Sequence, residues 1–261
     1  LCYVSIILVS ALRLQLLIHD RLPLKSVFSI SAVGYFFNLF LPSGISGDVA
    51  RAYYIGMETS AAKKNSTMDL VAPLLMERYF GLGSVLIIGL VALPFAVRLF
   101  DNSQLMNVIV VTIVLLVVII FSGMGIFKLR FLRSNRFVSE LYRYVDSFQD
   151  KRRLAAVFFY SSMIQLISIF AIFLISAGMG LDISLFYFVV IIPIINIITI
   201  LPITLGGIGL REGAFVFFLA SQGIPPHVAI SLSLISFFSS VIASLVGLYE
   251  YVRYRSKSVK I

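Results

Sequence analysis

Residues 106–127 read MNVIVVTIVLLVVIIFSGMGIF, a stretch without one charged side chain. A helix of about 20 apolar residues crosses the roughly 30 Å of hydrocarbon in a bilayer. A membrane barrel strand would be shorter and alternate apolar with polar positions, and this run does not alternate. The reading is a transmembrane α-helix, and its composition is that of the whole chain. Of the 261 residues, 60% are hydrophobic and 13% charged, and the mean hydropathy is +1.03. A soluble domain carries about a quarter charged residues, so the class is an all-α membrane protein. The single cysteine, Cys2, excludes an intramolecular disulfide framework. The net charge of +9 is a topology signal before it is anything else, and no nucleic-acid partner is inferred from it.

Working outward, apolar runs place further spans at 1–18 (interrupted by Arg13), 27–41, 71–97, 155–177, 185–201 and 228–252. With a broken crossing between 201 and 228, the expectation is a polytopic transmembrane bundle of about seven to eight helices forming one domain, 1–261. The chain opens Leu1-Cys2-Tyr3 inside an apolar run and without a Met, which predicts further sequence upstream. Residues 128–153 differ sharply: Lys128, Arg130, Arg133, Arg136, Arg143, Lys151, Arg152 and Arg153 face only Glu140, Asp146 and Asp150. Phe131, Val138, Leu141, Val145 and Phe148 recur there at helical spacing, the pattern of an amphipathic helix on a membrane surface. Arg253, Arg255, Lys257 and Lys260 make the C-terminal tail basic as well. Positive residues favour the cytoplasmic side, so both segments, together with the one holding Lys63 and Lys64, are placed there.

Two interruptions stand out because they match. Leu41–Arg51 and Leu201–Arg211, 160 positions apart, share Leu-Pro at the start, Gly47 with Gly207, and Arg51 with Arg211. Each carries an acid near the arginine, Asp48 in one and Glu212 in the other. Proline ends or kinks a helix because it lacks an N–H, and glycine lets the backbone turn or approach a ligand closely. Open backbone groups are intolerable against lipid, so such breaks are buried in protein or line a wet cavity. Paired broken segments in corresponding halves point to a transporter's binding site. A helix starting after a break offers N–H groups and a positive dipole end to phosphate. The candidate binding residues are therefore Asn38, Pro42, Gly47, Asp48 and Arg51 at the first break, and Pro202, Gly206, Gly207, Arg211 and Glu212 at the second. Glu77 and Arg78 on the intervening span join them, since charge within a membrane costs ~2.5–3.5 kcal/mol per residue and is retained for pairing or function. His19 and His227 are isolated, so no metal cluster or catalytic histidine motif is read, and no cofactor is expected.

The stretch from Asn38 to Arg51, then Glu77-Arg78 at the head of a span, resembles the lysylphosphatidylglycerol synthase transmembrane family. So do Leu201–Gly213, the short apolar run after it and the Gly223-Ile224-Pro225-Pro226 turn. One departure is Ser46 before Gly47, where many relatives have two glycines. The resemblance implies a flippase-like plasma-membrane protein, lacking the soluble aminoacyl-transferase domain, that handles phospholipids or lipid-linked substrates. The leading expectation is binding and translocation of such a lipid, with Arg51 and Arg211 on its phosphate and no catalysis. Its expected partners are membrane lipids with anionic or lipid-linked phosphate headgroups. The alternatives are a membrane-embedded transferase and an accessory subunit that docks a lipid-biosynthetic enzyme through 128–153.

Overall fold

The structure, a computed structural model, describes residues 1–18, 22–40, 46–59, 67–99, 136–146, 148, 150–200 and 207–258, with 107, 109–111, 114 and 117–118 between them. Among these residues the chain is helical throughout and has no strand. The helices are α1 (Cys2–Leu17), α2 (Leu24–Phe40), α3 (Ser46–Glu58), α4 (Thr67–Leu99), α5 (Arg136–Asp146), α6 (Lys151–Gly178), α7 (Leu185–Ile200), α8 (Leu210–Leu219) and α9 (Pro226–Ser258). The 106–127 span lies largely outside the described residues; its described positions are helical. Pro42, Pro202 and Gly206 also lie outside them, as do 128–135 of the basic segment.

Thr67–Ala92 on α4, Lys151–Gly178 on α6 and Pro226–Tyr254 on α9 are long and apolar enough to cross a membrane. At 1.5 Å per residue, the 28-residue α6 extends about 42 Å. These helices leave apolar side chains outward: on α9, Ile235, Phe238, Ile242, Leu245, Tyr249 and Val252 form an exposed stripe. Soluble monomers rarely show so continuous an apolar face to water. The fold is an all-α membrane bundle.

Cross-helix contacts fix the direction of each helix. Arg153, in the first turn of α6, donates to the Leu16 carbonyl and, through Nη2, to the Ile18 carbonyl at 3.2 Å, while the Tyr144 hydroxyl of α5 donates to the Leu17 carbonyl. The open carbonyls at the end of α1 are thus capped, and α6 starts where α1 stops. Met68 and Ala72 of α4 pack there too, against Leu17, Tyr144 and Phe148. The C-terminal part of α9 reaches the same end, where Glu250 accepts from Ser29 at 2.8 Å and the Tyr254 hydroxyl donates to Glu58 at 3.0 Å. The basic segment and the end of α9 therefore share one end of the bundle. The apolar face of α5, read as lying on lipid, in part covers the foot of α1 and α4.

The helices flanking each sequence break pair as an antiparallel hairpin, while the breaks themselves, 41–45 and 201–206, lie outside the described residues. Residues 27–41 were expected to cross; instead α2 leaves the basic end and α3 returns to it. Ser26 bonds Glu58 at 3.3 Å at the open end of this pair, and Ser46 bonds the Phe37 carbonyl at 3.0 Å near its tip. The second pair mirrors it from the far end. α7 begins there, and α8 comes back to it, with the Tyr187 hydroxyl donating to the Phe218 carbonyl and 2.9 Å from Ser221 Oγ. Thirteen residues in α3 and ten in α8 extend only about 20 and 15 Å, too short to cross.

The internal repeat extends well beyond the breaks. Shifting the helix bounds by 160 carries 24–40 onto 184–200, against Leu185–Ile200 observed, and 67–99 onto 227–259, against Pro226–Ser258. α1 and α6 run in opposite directions, as do α2 and α7, and α4 and α9. The halves are inverted repeats, each with its own core: one centred on Leu14, Ile30, Val33 and Ile55, the other on Tyr187, Phe188, Phe215 and Phe218. They meet closely at Gly247, where a Cβ would overlap the Ala32 carbonyl, the small-residue contact typical of membrane helices.

In a Cys2→Ser background, cysteines at Thr59 and Asp146 should label from one side of the membrane and cysteines at Asp182 and Gln222 from the other. Labelling of positions 59 and 146 from opposite sides would exclude the re-entrant α2–α3 pair.

Candidate functional site

The first break is held by a buried ionic network. Where α3 starts, the Gly47 N–H donates to Asn38 Oδ1 at 2.9 Å, so Asn38 satisfies a backbone donor left open by the new helix. A Cβ on Gly34 would overlap Arg51 Cγ and Cδ, and one on Gly47 would overlap the Gly34 carbonyl. These two glycines admit the Arg51 side chain between α2 and α3. Its Nη2 then meets Glu77 Oε2 at 2.5 Å, and Nη1 lies 3.5 Å from Asp48 Oδ1. The other Glu77 oxygen accepts from Arg13 Nε at 3.1 Å, and Arg13 Nη1 donates to Ser161 Oγ at 3.1 Å. Asp48 Oδ2 takes Arg78, through Nε at 2.7 Å and Nη2 at 2.5 Å. Glu77 is 3% exposed. A carboxylate there is tolerable because two guanidiniums flank it. Arg13 is a lone cation in an apolar run, and the rule that intramembrane charges carry partners is the sequence signal that points to it.

The second break is built differently. Gly207 and Gly209 have φ of +79° and +87°, a region that side chains with a Cβ rarely adopt. A Cβ on Gly207 would also lie 3.1 Å from Thr199 Cβ and 3.6 Å from Arg211 Nη2. Glu212 is the third residue of α8: its Oε2 accepts the Gly209 N–H at 2.5 Å, and its Oε1 accepts from Ser233 at 3.0 Å. It caps the helix and ties it to α9. The Arg211 guanidinium lies over the Phe237 ring, 5.2 Å from its centroid.

Arg211 lines a cavity of about 410 Å³ between the tips of the two hairpins. Tyr35 and Asn38 come from α2, Asn196 from α7, Ser236 and Ser240 from α9, and Tyr3 from α1. That volume falls within the range of small-molecule and headgroup sites. Of the sequence candidates, Asn38 and Arg211 face this cavity. Asp48, Arg51, Glu77 and Arg78 come together in the network behind it, while Gly47, Gly207 and Glu212 shape the helix starts. Tyr3, Tyr35, Ser236 and Ser240 carry no signal in the sequence, because aromatic and small polar residues are ordinary within apolar spans. The Nδ2 of Asn196 lies 3.5 Å from Gln165 Oε1 of α6.

Replacing Glu77 by Ala removes the carboxylate from Arg13 and leaves the buried Arg51 with only its 3.5 Å contact to Asp48. This should cost about 3–5 kcal/mol of stability. Glu212→Ala, which removes a cap, should cost about 1 kcal/mol. Equilibrium unfolding in mixed detergent micelles distinguishes the two.

With that geometry described, comparison with known proteins is informative. The family described as lysylphosphatidylglycerol synthase TM region matches residues 1–247. A relative described as a "UPF0104 membrane protein", from Methanothermobacter thermautotrophicus, is 23% identical over 242 residues, covering 81% of this chain and 70% of its own length. No solved structure matches. The chain belongs to the lysylphosphatidylglycerol synthase transmembrane-region family.

Proposed function

We propose that this member of the lysylphosphatidylglycerol synthase transmembrane-region family is a lipid carrier: it seats a lipid's phosphate on Arg211 in the cavity between the hairpin tips and passes the headgroup across the membrane. The observation that carries the reading is the meeting of two oppositely directed re-entrant hairpins at one polar cavity. A headgroup crossing a bilayer needs a polar seat within the hydrocarbon, reached in turn from each side. Inverted repeats supply this, because each half can open toward its own side while the seat stays in place.

Arg211 suits the phosphate. It is the second residue of α8, so the positive end of that helix adds to the guanidinium. Arg51 serves the seat indirectly, by fixing α3 against α4 through Glu77. The lipid tails stay in the bilayer against the outward apolar stripes, and no covalent bond of the lipid changes. The end carrying α5 and the C-terminal part of α9 faces the cytoplasm on this reading, because its basic residues follow the positive-inside bias. The membrane is the plasma membrane.

Reconstitution into liposomes with a fluorescent phospholipid tests the proposal. Arg211→Gln should slow translocation about ten- to a hundredfold, the range for losing a charge-assisted hydrogen bond, while leaving folding intact. An unchanged rate would remove Arg211 from the mechanism, and mass-spectrometric detection of a chemically altered lipid would replace transport by catalysis.

A further inference from the structure

From the cavity, an antiparallel seam between α2 of the first half and α9 of the second runs to the basic end of the bundle. At its inner end, Asn38 and Leu39 of α2 and Ser236 and Ser240 of α9 line the cavity. Midway, Gly247 lies so close to α2 that a Cβ on it would overlap the Ala32 carbonyl and Phe36 Cβ. The Phe37 and Tyr251 rings meet edge to face there, 5.3 Å between centroids. At the outer end the contact turns polar. Glu250, 8% exposed, accepts from Ser29 at 2.8 Å, and Tyr254 donates to Glu58 of α3 at 3.0 Å. Both of these bonds cross from one half to the other.

Resting on the reading of the cavity as a carrier's seat, we propose that this seam is the gate on the basic side, and that the Ser29–Glu250 and Tyr254–Glu58 bonds are its releasable clasp. A carrier built of inverted repeats opens by parting the contact between its halves on one side at a time, and this seam is such a contact, leading from the basic end to the seat. The clasp is built to let go. Each carboxylate has a second partner within its own half: Ser26 lies 3.3 Å from Glu58, and Arg253 lies 3.3 Å from Glu250. When the halves separate, each acid loses one hydroxyl and keeps the other partner, so no bare buried charge is created. A cavity of about 70 Å³ adjoins the bonds, and its described lining residues, Lys25 among them, all carry a polar or charged group. Water has room there and can replace each hydroxyl as it leaves, which keeps the net cost of opening small. The far end is held by other means. At the offset of 160, Val189 stands for Ser29, Leu90 for Glu250, Phe218 for Glu58 and Pro94 for Tyr254, so the equivalent positions cannot form this clasp. The two gates therefore differ in chemistry, and the clasp biases the carrier toward the state closed at its basic end.

The test places a reporter cysteine at Ser240, in a Cys2→Ser background of the full chain in proteoliposomes, and labels it with a membrane-impermeant methanethiosulfonate from each side. Ser29→Ala with Tyr254→Phe, which deletes the two clasp hydroxyls, should speed labelling from the basic side about tenfold and slow it from the far side. An unchanged or slower rate from the basic side would overturn the clasp. In a second variant, Ser29→Cys with Glu250→Cys, a short bifunctional methanethiosulfonate should cut translocation of a fluorescent phospholipid at least tenfold, and reduction should restore it. Full translocation by the bridged protein would overturn the seam as the gate. If the second variant is inactive before bridging, the labelling rates decide alone. The expected shift in labelling without any lipid translocation by the wild type would leave the gate standing and overturn the lipid-carrier reading. A cysteine at 240 that is labelled from neither side, with or without the clasp, would overturn both.

Discussion

The carboxylate of Glu77, clamped between Arg13 and Arg51, is the contact on which the first half of the molecule depends. Ionised groups are costly in hydrocarbon and stay only where partners surround them. Here one carboxylate ties α4 to α1 and to α3, and Arg13 extends the tie to Ser161 of α6. Because α3 is held this way, the chain can stop in mid-membrane after α2 and turn back. Gly34 and Gly47 make the turn feasible by giving the Arg51 side chain room. Asn38 completes it by taking the Gly47 N–H.

Among the described residues, the other half closes its helix start by different contacts. There the helix start is closed by Glu212 on its own backbone, and positive φ at Gly207 and Gly209 brings the chain around. Tyr187 then locks the hairpin at its open end. An inverted pair of such hairpins brings the ends of α2 and α7 and the start of α8 to one shared polar cavity, where open helix ends are tolerable as they are not against lipid. The cavity is the consequence of that constraint, and the arginine retained on its wall is what gives it chemistry.

This division of labour also separates residues that look alike in sequence. Arg51 and Arg211 sit at equivalent positions of matching motifs, and both are read as phosphate ligands on that ground. Their neighbours differ. Arg51 meets a carboxylate 26 positions away and Arg211 a ring at the corresponding distance in sequence. Glu77 and Arg78 are adjacent, yet the turn of the helix sends one into the core and the other toward Asp48 at a more exposed edge.

The amino-acid sequence by itself determined the membrane class, the long apolar helices, the position of both breaks and their kinship, because hydropathy, proline and glycine act locally and leave local patterns. It also marked Asn38 and Arg211, which face the cavity. Three matters were decided only by the tertiary structure: that α2 and α3 return to one side, that Arg13 completes the Glu77 clamp, and that Tyr3, Tyr35, Ser236 and Ser240 join the cavity wall. Each depends on which helices become neighbours. A carboxylate 64 residues from its arginine, or a serine on a helix that packs from the opposite half, leaves no mark in the periodicity of either segment.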